Sequence, residues 1–246
     1  MIRVRLDIQY KGTPFGGWQK QKAKGPPTLQ GLFEELLSLI FNQPIRVIGS
    51  GRTDAGTHAR QQVAHCDLPH LPENLRYKLN RLLPKEVAVF RAGPAPENFH
   101  ALASVVSKTY VYRVWNHSVP HPFLAETSHW VQSPLSLPAL NSFAKVFQGT
   151  HDFKSFQTRG TPVPDTTRTL FLSEWVERRP HLLEYRVRGN GFLKQMVRNL
   201  VGLQLYAQRK GLSPQDLKVI LEAKDRREAK DTAPSHGLIL WKVHYS

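Results

Sequence analysis

Ile2, Val4, Leu6, Ile8 and Tyr10 alternate with Arg3, Arg5, Asp7 and Gln9. A period of two sustained over nine residues predicts a strand with one face buried and one wet. A Gly/Pro-rich loop, 11–27, follows. Thr28 then stands as a helix cap before the apolar stripe Leu29, Leu32, Phe33, Leu36, Leu37 and Ile40, with Pro44 as its stop. Strands near 45–50 and 61–68 flank a glycine-containing loop. A helix near 73–83 with Leu75, Leu79 and Leu82 on one side and a strand near 86–92 complete the order β-α-β-β-α-β.

The rest of the chain supports the same order. A strand near 103–115 puts Val106, Tyr110, Tyr112 and Val114 on one face, and a short strand is expected near 129–131. A helix near 138–148 carries Leu140, Phe143, Ala144 and Phe147, with Gly149 as its stop. Strands near 168–177 and 181–188 precede a helix at about 193–209. Ser213-Pro214-Gln215-Asp216 starts another helix, with a cap, a first-turn proline and an acid near the positive end of the dipole. A last strand covers about 238–243. The expected fold class is therefore α+β: two ferredoxin-like, RRM-like domains, 1–102 and 103–246, each an antiparallel sheet with helices on one side. No sequence repeat is visible, so the duplication rests on element order alone.

Lys and Arg total 34 against 19 Asp and Glu, a formal net charge of +15. The excess is +6 in 1–102 and +9 in 103–246, which excludes a basic tail on a neutral domain. A polyanionic partner follows, though charge alone does not separate RNA from DNA. In the first loop Lys11, Phe15, Trp18, Gln19, Lys20, Lys22 and Lys24 interleave basic and aromatic residues, as contact with a single strand needs. The loop at 151–169 adds Lys154, Arg159 and Arg168. Arg226, Arg227 and Lys230, mixed with Glu228 and Asp231, read as a solvated helix end. No apolar run approaches a membrane span or the core of a signal peptide, so a soluble cytoplasmic protein is expected. Cys66 is the single cysteine and reads as a core residue. His65 and Cys66 fall on opposite faces of their strand, and neither His58 nor His70 completes a zinc pattern, so no metal site is expected.

The loop between the second and third strands reads Gly51-Arg52-Thr53-Asp54-Ala55-Gly56-Thr57-His58-Ala59. Its two glycines permit a tight turn and close approach of a ligand to backbone. Asp54, between Arg52 and His58, is expected to be ionised. By spacing alone, the stronger reading of an aspartate in such a turn is a local hydrogen-bond acceptor.

This run closely resembles the active-site motif of the tRNA pseudouridine synthase A family. YKGTPFGGWQKQ at 10–21, NFHALASVVSKTYVYRVWN at 98–116, GTHDFKSF at 149–156, RGNGFLKQMVRNLVG at 188–202 and APSHGLILWKV at 233–243 extend the resemblance over most of the chain. It implies that Asp54 is the catalytic carboxylate and that Tyr110, first tyrosine of KTYVY, lies against the target base. It implies that Arg198, in QMVRN, pairs with the aspartate, and that Arg52 acts on RNA around a flipped nucleotide. Lys11, Gln19, Lys20, Lys22 and His58 are the further candidates for substrate contact, and Tyr112 reads as core. Two positions depart from the family's habit: Leu102 and Ala103 follow FHA, where a basic residue and an aromatic are frequent, and the loop after Ser155-Phe156 lacks a cysteine.

The implied reaction breaks the uridine N1–C1′ bond, turns the uracil and rejoins it through C5. No atom is gained or lost, so neither cofactor nor metal is expected. Hydrolytic glycosidases use two carboxylates, one of which activates water or attacks; here water would release free uracil, and one carboxylate suits the task. It can attack C1′ or take a proton from C2′ to give a glycal, and both routes stay open. A guanidinium at ~4 Å would favour the ionised carboxylate by about 4 kcal/mol at an effective dielectric near 20. The resemblance further implies uridines 38, 39 and 40 of the tRNA anticodon arm as targets, and a homodimer. A non-catalytic RNA-binding module and a metal-dependent nuclease are the competing classes; the intact motif with Tyr110 and Arg198 argues against the first, and chelator insensitivity would remove the second.

Overall fold

The computed structural model describes residues 1–21, 25–158, 160 and 163–246. They form two compact units, Met1–Val106 with Ile239–Ser246, and Ser107–Leu238. Among them no helix is long and apolar enough to cross a membrane. The architecture is α+β.

The first unit runs β1 (Ile2–Tyr10), α1 (Leu29–Phe41), β2 (Ile48–Gly49), β3 (His58–Leu68), α2 (Leu75–Leu82) and β4 (Val87–Pro94). β1 lies between β3 and β4, antiparallel to both, and β2 pairs with β3. This is the split-βαβ arrangement. Val4, Leu6, Ile8 and Tyr10 of β1 are buried as the alternation requires. Asp7 is buried too, although it falls on the polar side: Arg5 Nε meets its Oδ1 at 2.6 Å and Gln61 reaches Oδ2.

Thr28 caps α1, its hydroxyl accepting from the Gly31 amide. Asn42, in the left-handed conformation, ends the helix two residues before Pro44. In α2, Leu75 and Leu79 are buried but Leu82 is exposed; the chain turns extended at Leu83, which takes the inward position. β2 is two residues long rather than six, while β3 starts three residues earlier than expected and takes in His58 and Ala59.

The second unit runs from β5 (Val105–Asn116) through β6 (His129–Val131), α3 (Leu137–Val146), β7 (Gly149–Asp152), β8 (Thr167–Arg179), β9 (Leu182–Gly189), α4 (Met196–Lys210) and α5 (Pro214–Glu222). Its strands are ordered β5-β9-β8-β7, antiparallel throughout, with β6 parallel to β5. Tyr112 sits opposite Tyr185, and both join Trp175, Phe147, Phe153 and Phe156 in the core. The polar atoms buried there are matched: Trp175 Nε1 donates to Gln204 at 2.8 Å, and the Ser173 and Tyr185 hydroxyls meet at 2.7 Å. Val106 departs from its expected face and is exposed at the strand's start. β7 is an element that the sequence reading lacks; Gly149 opens it at φ +106. Ser213 and Asp216 form the expected reciprocal cap of α5. Arg226 is no solvated helix end: it lies beyond α5 and donates to Asn199, Thr232 and the Ala229 carbonyl.

The last strand is β10 (Leu238–Tyr245). It pairs in parallel with the start of β3, Ile239 opposite His58 and Leu240 opposite Ala59. β3 thus carries β2 at one end and β10 at the other.

Candidate active site

The motif loop leaves β2 and enters β3 as a turn tied at both ends. Ser50 N donates to Val63 O at 2.7 Å, and the Ser50 hydroxyl meets Gln62 Oε1 at 2.6 Å. Gln62 Nε2 returns to Gly51 O at 3.0 Å. Within the turn, Thr57 N donates to Asp54 O at 3.1 Å. Asp54 is half-buried and Ala55, beside it, is exposed.

The first loop packs directly on this turn. Trp18 N donates to Thr53 O at 3.1 Å, the Tyr10 and Thr53 hydroxyls meet at 2.8 Å, and Gly12 N donates to His58 Nδ1 at 2.9 Å. Gly17 holds φ +94, and a Cβ there would lie 2.6 Å from Thr53 O. At Gly12 a Cβ would lie 2.0 Å from Thr57 O, so the two backbones touch with no room for a methyl group. The Trp18 ring stacks on Tyr10 with centroids 6.4 Å apart. Phe15 and Trp18 are 5% and 2% exposed. They are therefore interior residues and not the stacking platforms expected of them: a ring that fills the space behind a turn cannot also present its face to a base. A β1–β3 register shift between Ile8 and Tyr10 accompanies this packing, and bulges recur beside functional sites.

The other candidates divide. Arg52 is exposed, and its Nε donates to Gln19 Oε1 at 3.1 Å. Gln19 in turn donates to Gln30, whose amide is anchored on Val47 O. Lys20 stands on the same strip, 63% exposed, with Glu34 at 3.2 Å. Lys11 is half-buried and its backbone amide is held by Glu86 O. His58 is buried and receives the Gly12 amide, which makes it part of the brace. Lys22, with Lys24 and Arg159, lies outside the described residues. So Asp54 and Arg52 share one turn, Gln19 is bound to it through Arg52, and Lys20 next to Gln19 is held on α1 by Glu34. The residues that sequence reasoning missed are Tyr10, Gly12 and Gly17, which hold the turn together with Trp18, expected at the surface. The glycine-aromatic run GTPFGGW was the signal, read for its surface rather than for close packing.

In the second unit Tyr110 lies on β5, 8% exposed, its ring edge-on to Phe192 with centroids 5.0 Å apart. Tyr112 is core: its hydroxyl donates to Pro234 O at 2.9 Å. Arg198 lies in the first turn of α4. Its Nε donates to Ala233 O at 2.8 Å and its own carbonyl receives the Ala233 amide at 3.0 Å, which fixes the 231–234 segment along the helix.

A family model described as tRNA pseudouridine synthase matches residues 143–246. Curated relatives named tRNA pseudouridine synthase A match throughout. That of Bdellovibrio bacteriovorus is 42% identical over 99% of this chain and 95% of its own. That of Anoxybacillus flavithermus is 43% identical over 100% and 99%, and that of Bacillus subtilis 40% identical over 99% of each. The chain belongs to the tRNA pseudouridine synthase A family, whose members are isomerases.

Proposed function

We propose that this protein isomerises uridine to pseudouridine in the anticodon arm of tRNA, at positions 38, 39 and 40, with Asp54 as the single catalytic carboxylate. The observation that supports this reading best is the setting of Asp54. It is the only acid in the motif loop, and it stands half-buried on a turn clamped by backbone bonds and packed rings. A reactive group on a rigid turn is positioned before substrate arrives.

The steps follow from that position. The target nucleotide leaves its stack at a cost of a few kcal/mol. Tyr110 receives the base, and a stacked aromatic contributes ~1–3 kcal/mol. Asp54 attacks C1′ or removes a proton from C2′, and the N1–C1′ bond breaks with its electron pair passing to uracil. The ring turns and C5 bonds to C1′ as the Asp54–C1′ bond breaks or, on the glycal route, as Asp54 returns the proton to C2′; the C5 proton then leaves and N1 gains one. Arg198 is assigned as the cation that favours the ionised aspartate. Arg52, Gln19, Lys20 and Lys11 are assigned to the RNA around the flipped nucleotide, with Lys22 as a further contact and His58 as their internal support. The protein is proposed to act as a cytoplasmic homodimer.

The test is incubation with tRNA carrying 5-tritiated uridine. Tritium should be released by wild type and not by Asp54→Asn, which keeps its shape and its affinity for tRNA. Residual turnover above about a thousandth of wild type would remove Asp54 from the chemistry.

A further inference from the structure

Lys108 lies two residues before Tyr110 on β5, so the two share a face of the strand, with Cα atoms about 7 Å apart. On that face Val114 and Tyr112 are fully buried, Tyr110 stands at the rim against Phe192, and Lys108, half-buried, comes last. Opposite Lys108 on β9 is Gly189, which gives it no side chain to pair with. The side chains around Gly189 are apolar: a Cβ there would meet Leu170 at 2.8 Å and the Phe192 ring at 3.3 Å, with the Thr169 backbone carbonyl oxygen at 2.9 Å.

Among the described residues no acid approaches the Lys108 ammonium. Burial alone acts on it and lowers its pKa to about 8. Arg113, Glu184 and Arg186 of these two strands pair with one another on the opposite face, and Arg188 there lies over the Phe171 ring. A partly desolvated ammonium without a counter-charge is a cost to the fold. It is repaid if a ligand supplies the negative charge.

We propose that Lys108 is a further catalytic residue, whose ammonium binds a carbonyl oxygen of the target uracil and holds the negative charge that the ring acquires when N1–C1′ breaks. This rests on the reading of Tyr110 as the residue that receives the base. A ring stacked on Tyr110 presents its edge within reach of the neighbouring lysine. The released electron pair spreads over N1, O2 and O4. Lys108 donates a hydrogen bond to one of these oxygens while the ring turns and transfers no proton. The charge disappears when C5 bonds to C1′; the C5 proton then leaves and N1 takes one up. A phosphate would instead favour a lysine in open solvent, away from aromatic neighbours.

Lys108→Met and Lys108→Arg are compared with wild type by tritium release at limiting and saturating tRNA, and by tRNA binding across a salt series. Removing one preorganised donor to a developing anion costs ~10²–10³-fold in kcat. Lys108→Met should therefore lose that much in kcat, with affinity and salt slope unchanged and melting temperature equal to wild type or higher. Lys108→Arg should recover a large part of the rate. Unchanged kcat in Lys108→Met overturns the proposal. So does a loss confined to affinity with the salt slope shallower by roughly 0.7–0.9, the mark of one lost phosphate contact. A rate loss that accompanies a lower melting temperature assigns the effect to the fold and overturns it too. Asp54→Asn in the same assay reads the parent proposal by itself: turnover that survives it removes the aspartate and leaves the lysine to be judged on its own kcat.

Discussion

Gly12→Ala puts the rigidity of the turn that carries Asp54, the proposed catalytic residue, to a quantitative test. The new Cβ would lie 2.0 Å from the Thr57 carbonyl oxygen and 2.6 Å from its carbon. Real Cβ atoms stay at least 3.0 Å from such neighbours, so the two backbones must part by about 1 Å. Thr57 is tied to Asp54 by the Thr57 N to Asp54 O bond, and the Gly12 amide is tied to His58. The displacement therefore passes to the turn that carries Asp54. A misplacement near 1 Å costs roughly 10²-fold in rate, and overpacking costs about 1–3 kcal/mol of stability. Tritium release should give a kcat lowered by about two orders of magnitude, with tRNA affinity within a few-fold of wild type. Gly93→Ala is the control: a Cβ there meets nothing within 4 Å, and kcat should not change. Wild-type kcat in Gly12→Ala would refute the claim that this contact positions Asp54.

The Thr57 hydroxyl is buried and, among the described residues, has no hydrogen-bond partner. Thr57→Val should raise stability by about 1–3 kcal/mol in denaturant unfolding, and a destabilised variant would show that the hydroxyl is satisfied. His65 is buried beside Arg3 and His100, with Asp67 opposing them. Burial first, then the Arg3 guanidinium, lowers its pKa to about 4. The unfolded chain, with histidine near 6.5, binds the proton that the folded chain refuses, so stability is full above pH 6.5 and falls as pH drops toward 4. The loss attributable to this one group is on the order of 3 kcal/mol, and His65→Gln should flatten that part of a pH-unfolding curve. An unchanged curve would free His65 of the effect. Replacing Arg52 and Lys20 together with alanine should lower the salt slope of tRNA binding by up to about 1.5, alike for different tRNAs; parallel lines would place both off the phosphate backbone.

Much of this was legible because it is local. The alternation through β1, the Thr28 cap and the Ser213–Asp216 box are each encoded within a few residues, and each stands where its pattern puts it. β7 was not legible: four residues give too short a run for a period to show. Nor was the pairing of β10 with β3, because strand edges some 180 residues apart leave no trace in local pattern. Asp54, Arg52, Tyr110 and Arg198 were nominated by motif, and the structure adds their surroundings rather than their roles. The first loop misled for a definite reason. Composition says that Phe15 and Trp18 are aromatic, but only packing says which way they face, and here Gly12 and Gly17 let the loop close over them.

The forces around the Asp54 turn differ in kind from those expected to hold RNA. Tyr10 with Thr53, Trp18 N with Thr53 O, Ser50 with Gln62 and Gly12 N with His58 are short contacts without an ion pair, mostly buried. Arg52 and Lys20 are exposed, in a chain of net charge +15. Salt screens the second set strongly and the first hardly at all, since the Debye length is already about 8 Å at physiological ionic strength. The position of Asp54 should therefore survive conditions that release the RNA. For the proposed reaction this means that kcat holds while KM climbs with salt. Single-turnover tritium release at saturating tRNA, compared at low and high salt, checks it. A kcat that falls together with affinity would mean that charged contacts with RNA complete the geometry of the turn, and that the uncharged brace alone is not enough.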